Sequence, residues 1–255
     1  MTTSIMLAGD WHADQHHAKQ CIRKTAEQGI GLLIHLGDFG YGFPSTHGYL
    51  RHVSAAAVEN NVELWNILGN HDNNDDIEWL ETDDEGRKIA APNVLILSRG
   101  HRFVIEDVSF TAIGGAVSVD KQYRTEGDDW WISEEITDEQ ESAIRQLPPT
   151  DVLLCHDTAD GYHIPGLLSD REFTAAFGPT VRAEAETHRQ RISRIVDALT
   201  PSLLIHAHYH VAYEHNRLST SDAGVEFTTH VIGLPAEESP GNLRHMRIDG
   251  RTITV

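Results

Sequence analysis

The sequence predicts an α/β protein, and two observations carry the prediction. Short apolar runs alternate with helix-length amphipathic stretches through the first 70 positions, the rhythm of parallel strands joined by helical crossovers. Further along, apolar runs follow one another with only turn residues between them, as antiparallel strands do.

Taken in order, residues 4–8 read as a buried strand, and a polar turn leads into a helix over 14–28 that Gly29 terminates. Residues 31–36 form a second apolar run, ending in Gly37-Asp38. After a loop rich in Gly, Tyr, Phe and Pro, residues 46–60 read as a helix and 62–68 as a third strand, closing on Gly69-Asn70-His71-Asp72. The closely spaced runs 94–97, 102–106 and 109–113 predict antiparallel strands. The polar, aromatic stretch 115–135 reads as an insertion loop, and 138–146 as a helix that Pro148-Pro149 ends. Strand 152–155 puts His156 just past its end. Residues 157–185 show no clear periodicity, and 188–199 is the last helix. Strands at 203–206, 211–216, 225–232, 243–248 and 252–255 complete a second set, with no internal repeat and no low-complexity tail.

With 255 residues and 40% apolar content the chain can bury one sizeable core, so residues 1–255 are read as a single domain. No run of about 18 apolar residues is present, and the opening residues lack a basic start and a long apolar stretch. The expectation is a cytoplasmic protein with no membrane partner. Two cysteines, Cys21 and Cys155, fit a reducing compartment. Twenty Lys and Arg against 39 Asp and Glu leave a formal charge of −19, which repels polyanions and argues against long duplex nucleic acid as a partner. A site built on bound cations can still accept one phosphate group. The oligomeric state stays open at this level.

Among 17 histidines, placement matters more than number. Asp10, His12, Asp38, Asn70, His156, His208 and His210 all lie just beyond apolar runs, and the carboxyl ends of strands are where ligand sites gather in α/β proteins. Asp10/His12 and His208/His210 are spaced by two, so in extended chain each pair would point one way while Trp11 and Tyr209 point the other. A mixture of carboxylate, amide and imidazole donors suits manganese, iron or zinc ions, whereas a structural zinc more often takes thiolates. The set exceeds what one tetrahedral ion needs, and an Asp38 shared by two ions accounts for the surplus. Each residue alone has a plainer reading, as a turn former or a satisfied polar side chain; it is their order and number that reverse it.

Asp10-Trp11-His12, Gly37-Asp38, Gly69-Asn70-His71-Asp72, the lone His156 and Ala207-His208-Tyr209-His210 closely resemble the motifs of the calcineurin-like metallophosphoesterase family: D-x-H, G-D, G-N-H-D/E, a lone His and G-H-x-H. Ala207 stands where the last motif has glycine. The resemblance implies a four-layer sandwich of two mixed β-sheets flanked by α-helices, and a metal-dependent phosphoric ester hydrolase. It implies two divalent ions, manganese first, with iron, zinc or nickel as alternatives. Asp10, His12, Asp38 and His210 would hold one; Asp38, Asn70, His156 and His208 the other. Between them a water of lowered pKa becomes the nucleophilic hydroxide. His71 would sit near the leaving-group oxygen as proton donor or electrostatic aid, with Asp72 orienting its imidazole.

The insertion is similar to a segment of a bacterial and phage branch of that family. Within it Arg124 is a candidate phosphate contact beside Asn70, or else an ion-pair partner of Asp120, Glu126 or Asp128. Trp130 and Trp131 could stack on substrate, although anchoring the loop on the core is favoured. His16 and His17 are expected on an exposed helix face, and His35 and His206 in structural roles. The expected substrate is a small phosphate ester, best a phosphodiester of nucleotide type. The rivals are a phosphoprotein phosphatase or a nuclease using the same site and, in another class, a non-catalytic metal-binding interaction module, which would have no use for His71.

Overall fold

The computed structural model describes residues 2–43, 48–161 and 164–255. Strand β1 (Thr2–Ala8) becomes fully buried towards its carboxyl end. Asp14 then caps α1 (Gln15–Glu27), its carboxylate accepting the N–H groups of His16 and His17. β2 (Leu32–Leu36), α2 (Tyr49–Glu59) and β3 (Glu63–Ile67) complete the expected alternation; the predicted start of the second helix, at 46 and 47, lies outside the described residues. Next come β4 (Lys88–Ala91), β5 (Val94–Leu97), β6 (Arg102–Ile105) and β7 (Val108–Ile113). A reciprocal pair of bonds between Thr137 and Gln140 caps α3 (Asp138–Arg145). β8 (Val152–Cys155), α4 (Asp170–Phe177), α5 (Pro179–Leu199) and β9 (Leu203–His206) follow, then β10 (Tyr213–Thr220), β11 (Glu226–Gly233), β12 (Arg244–Asp249) and β13 (Thr252–Thr254).

Two sheets result. One runs β13-β12-β1-β2-β3-β5-β4 and the other β10-β11-β9-β8-β7-β6. Their centres are parallel and their outer strands antiparallel, so both are mixed. Side chains alternate as a two-residue period requires. Leu7, Ile34, Ile67, Phe110, Leu154 and Ile205 fill the space between the sheets. Met6, Leu33 and Leu64 point outward onto Ile22 of α1 and Val53 of α2. Leu153 and Leu204 point onto Ile144 of α3 and Ile195 of α5. The layers are helix, sheet, sheet, helix. Because the central strands are parallel, their carboxyl ends emerge along one edge of each sheet.

Four sequence expectations need correction. The runs at 94–113 do not form one antiparallel group: β5 pairs parallel with β3, and the chain crosses to the other sheet before the antiparallel pair β6–β7. The stretch without periodicity holds α4 and the start of α5, capped at Ser169 and begun at Pro179. Their apolar signal is weak because α4 buries no side chain. β10 spans 213–220 rather than 211–216, and as a largely exposed edge strand it carries polar residues on both faces. The short β4, with no fully buried side chain, was not legible at all.

Candidate metal centre

The loops following β1, β2, β3, β8 and β9 meet at the edge of the sandwich. Asp10 (φ 54°), His12 (φ 43°), Asp38 (φ 56°), His208 (φ 69°) and His210 (φ 58°) are left-handed there, a conformation that side-chain-bearing residues adopt at a cost and that clusters at functional sites. The extended pinch expected from the two-residue spacing is therefore wrong. Left-handed backbone keeps Asp10 and His12 together without extended chain and parts only His208 from His210: His210 comes together with Asp10 and His12, and His208 with Asp38 and His156, their donor atoms within 4.8 Å in each group. Ala207 is accommodated because Gly9 faces it; a Cβ on Gly9 would lie 2.5 Å from the Ala207 methyl.

Asp38 joins the two groups. Its Oδ2 lies 3.4 Å from His12 Nε2 and its Oδ1 3.2 Å from His156 Nε2, while Oδ1 also accepts the His71 backbone N–H. His156 Nδ1 donates to the Leu36 carbonyl at 2.8 Å, which turns Nε2 towards Asn70 Oδ1 at 3.1 Å. The Asn70 amide is oriented in turn: its Nδ2 donates to Ser118 Oγ, and that hydroxyl donates to buried Glu134 at 2.6 Å. An imidazole lone pair, an amide oxygen and a carboxylate oxygen thus converge in a buried space, an arrangement stable only around positive charge.

Protonation expresses the same demand. Burial alone would lower His156, but the Asp38 carboxylate raises it to about 10. Burial likewise opposes His12, which Asp38 pulls up to about 9. Burial lifts Asp10 to about 7. Burial would also raise Asp38, yet His156 and His71 hold it well below the usual carboxylate range. Buried oxygens and imidazole nitrogens without a thiolate fit hard to borderline divalent ions; Cys155 is turned away into the core against α3 and α5.

Several supporting residues carried no motif. Glu237 Oε2 lies 3.1 Å from His12 Nδ1, a carboxylate behind a candidate ligand. Asn242 accepts Trp11 Nε1–H and donates to the Gly9 and Pro235 carbonyls. Asp157, buried, accepts His188 Nδ1–H at 2.8 Å and the Tyr209 hydroxyl at 2.7 Å, tying the loop between His208 and His210 to α5. Burial would raise that carboxyl, but His188 holds it far below its usual range. Only Asp157 had a local cue, its place directly after His156.

Arg124 Nη2 sits 3.0–3.1 Å from the two ring nitrogens of His71 and 2.8 Å from Asp120, so the expected ion pair with Asp120 forms beside the site. Burial lowers the His71 pKa, with Arg124 acting the same way. Asp72 does not orient the His71 ring as the resemblance implied. Its carboxylate accepts the N–H groups of Gly40, Tyr41 and Gly69 at 2.7 Å and of Phe39 at 3.3 Å, which joins the second motif loop to the third. Burial raises Asp72 to about 6 against those bonds. Trp131 is buried against Phe43 and anchors the insertion. His35 and His206 are buried in bonds to Asn66 and Tyr213. His17, expected to be exposed, instead donates to Asn242.

The family described as calcineurin-like phosphoesterase matches residues 3–212. The chain belongs to this family, and it is a metal-dependent phosphoester hydrolase of the metallo-dependent phosphatase fold. No curated protein matches it. Among solved structures it is similar to a dimetal phosphatase from Danio rerio, with TM-score 0.50 and 11% identity over 96% of this chain and 92% of that one. A protein from Thermus thermophilus gives TM-score 0.49 and 11% identity over 92% and 90%. The E. coli phosphoesterase YfcE gives 0.42 and 12% over 99% and 92%. At 11% identity the likeness to the Danio rerio phosphatase is one of fold. Among the described residues no helix is long and apolar enough to cross a membrane.

Proposed function

We propose that the chain is a single-domain, dinuclear-metal phosphodiesterase acting on small, nucleotide-type phosphate esters. Asp10, His12, Asp38 and His210 hold one divalent cation, and Asp38, Asn70, His156 and His208 the other, manganese first. The observation that carries this reading is buried Asp38, which presents one carboxylate oxygen to each of two histidine groups. When bound, the cation pair supplies Lewis acidity that lowers the pKa of water and polarises phosphoryl oxygens.

The chain's own residues do the rest. The Leu36 carbonyl fixes the His156 tautomer, and Ser118 with Glu134 fixes which end of the Asn70 amide faces the centre. Arg124, held by Asp120, offers its remaining N–H groups to phosphate oxygens. Its Nη2 also lies 3.0–3.1 Å from both ring nitrogens of His71, a positive charge that favours the neutral imidazole, whose N–H would serve the departing oxygen. Burial and the Arg124 guanidinium, which outweigh the pull of the Asp38 carboxylate, suit a neutral donor. The −19 charge favours a compact ester over a long nucleic acid, and two buried free thiols, Cys21 and Cys155, suit a cytoplasmic setting. The insertion's likeness supports a place in the bacterial and phage branch.

Metal analysis coupled to a substrate panel tests the reading. Wild-type protein should bind two equivalents of manganese and turn over cyclic nucleotides faster than a phosphopeptide. Asp38→Ala should lose both ions and all activity. Near-normal metal content in that variant would contradict the shared ligand, and a phosphopeptide preference would overturn the substrate class.

A further inference from the structure

An eight-residue helix is too short to hold itself in water, and α4 buries none of its side chains. Its cap at Ser169 and its packing on α5 keep it in place. Phe173 and Phe177, one turn apart with ring centroids 4.9 Å from each other, line a cavity of about 480 Å³ that also reaches His208, Tyr209 and His210. Leu167 and Leu168, 40% and 48% exposed, belong to the same wall. The apolar side of α4 therefore faces an open space continuous with the candidate metal centre.

Charge narrows what can enter. Arg182 pairs with Asp170 at 2.7 Å and Glu186 at 3.9 Å, and Arg189 pairs with Asp160 at 3.8 Å. These three carboxylates outnumber the two cations on the cavity's lining. A second phosphate or a carboxylate would meet a net negative rim, whereas an uncharged apolar group would cover aromatic surface now in contact with water.

We propose that this cavity seats a bulky, uncharged, apolar substituent that stays on phosphorus, so that the substrate is a phosphodiester with one apolar arm. The assignment rests on the phosphodiesterase reading above. The retained arm is the one concerned because the cavity reaches His208 and His210, while His71, placed at the leaving oxygen, does not line it.

Two diesters with the same leaving group test this: phenyl p-nitrophenyl phosphate and methyl p-nitrophenyl phosphate, with the manganese-loaded protein. The phenyl ester should be favoured on the order of 10-fold or more in kcat/KM. Most of that should lie in KM, because the arm is bound equally before and during reaction. Phe173→Ala/Phe177→Ala should cancel the preference by bringing kcat/KM for the phenyl ester down to that of the methyl ester. Alanine is the best helix former and the Ser169 cap is untouched; circular dichroism and a thermal melt check that the fold persists. Phenylphosphonate inhibition should weaken in the double variant by a similar factor, a binding readout independent of turnover. Equal turnover of the two diesters by wild type, or a preference that survives the double substitution, overturns the cavity assignment and leaves the phosphodiesterase intact. Failure to hydrolyse either ester overturns the underlying reading itself.

Discussion

At His71 the surroundings set the protonation state before any substrate arrives. Burial lowers its pKa, the Arg124 guanidinium acts the same way, and Nη2 lies 3.0–3.1 Å from both ring nitrogens, which favours the neutral imidazole proposed above as the proton donor. Removing the ring leaves every candidate ligand in place. His71→Ala should keep its metal and lose about 10²- to 10⁴-fold in kcat, with a smaller loss for a nitrophenolate leaving group than for an alkoxide. Equal losses for the two would remove the proton-donor role. Glu134 gives a prediction of another kind. Burial raises its pKa from 4.5 to about 7, so the folded state binds the proton more tightly than the unfolded chain. Its contribution to stability is fully present below pH 4.5 and is lost as pH rises towards 7. Glu134→Gln should therefore gain on wild type by roughly 1–3 kcal/mol between about pH 4.5 and 7, read from denaturant titrations; a gap independent of pH would count against it. The candidate ligands were legible because each closes a short motif at a strand end. Ser118, Glu134, Glu237 and Asn242 were not, since their partners are distant in the chain and only folding brings them together.

Among the elements, the first strand-helix alternation was legible because its strands are buried on both faces and its helices amphipathic. Elements that bury little read poorly: β4 and α4 left no pattern, and β10 was read as a strand with the wrong bounds. The turn after β3 shows how tightly element ends are spaced. A Cβ on Gly69 would lie 2.2 Å from Asp38 Oδ1 and 2.7 Å from His156 Nε2, closer than any relaxed packing allows. Gly69→Ala should push those two side chains apart. The expected result is a protein that still melts cooperatively, with Tm lowered by several degrees for the roughly 1–3 kcal/mol typical of overpacking, and with much reduced metal content by elemental analysis. Wild-type metal content would mean that the loops after β2 and β8 are free to shift, against the close packing found here.

Across the whole molecule, the net charge of −19 sets a field that opposes anionic substrates until the local cations take over. Raising ionic strength from about 0.01 to 0.15 M shortens the screening length from roughly 30 to 8 Å. kcat/KM for a dianionic monoester should then rise roughly twofold or more, with a smaller rise for a singly charged diester. A fall would show that the centre's own positive charge governs the approach. The largest separation in the fold has a different consequence. β12 pairs antiparallel with β1, Thr2 opposite Asp249, and Asn242 bonds both Trp11 and Gly9. A growing polypeptide that has not yet delivered residue 242 therefore carries an open sheet margin beside its first motif, with the Trp11 indole lacking its acceptor. Stalled or shortened translation products are accordingly the forms most exposed to strand-to-strand aggregation.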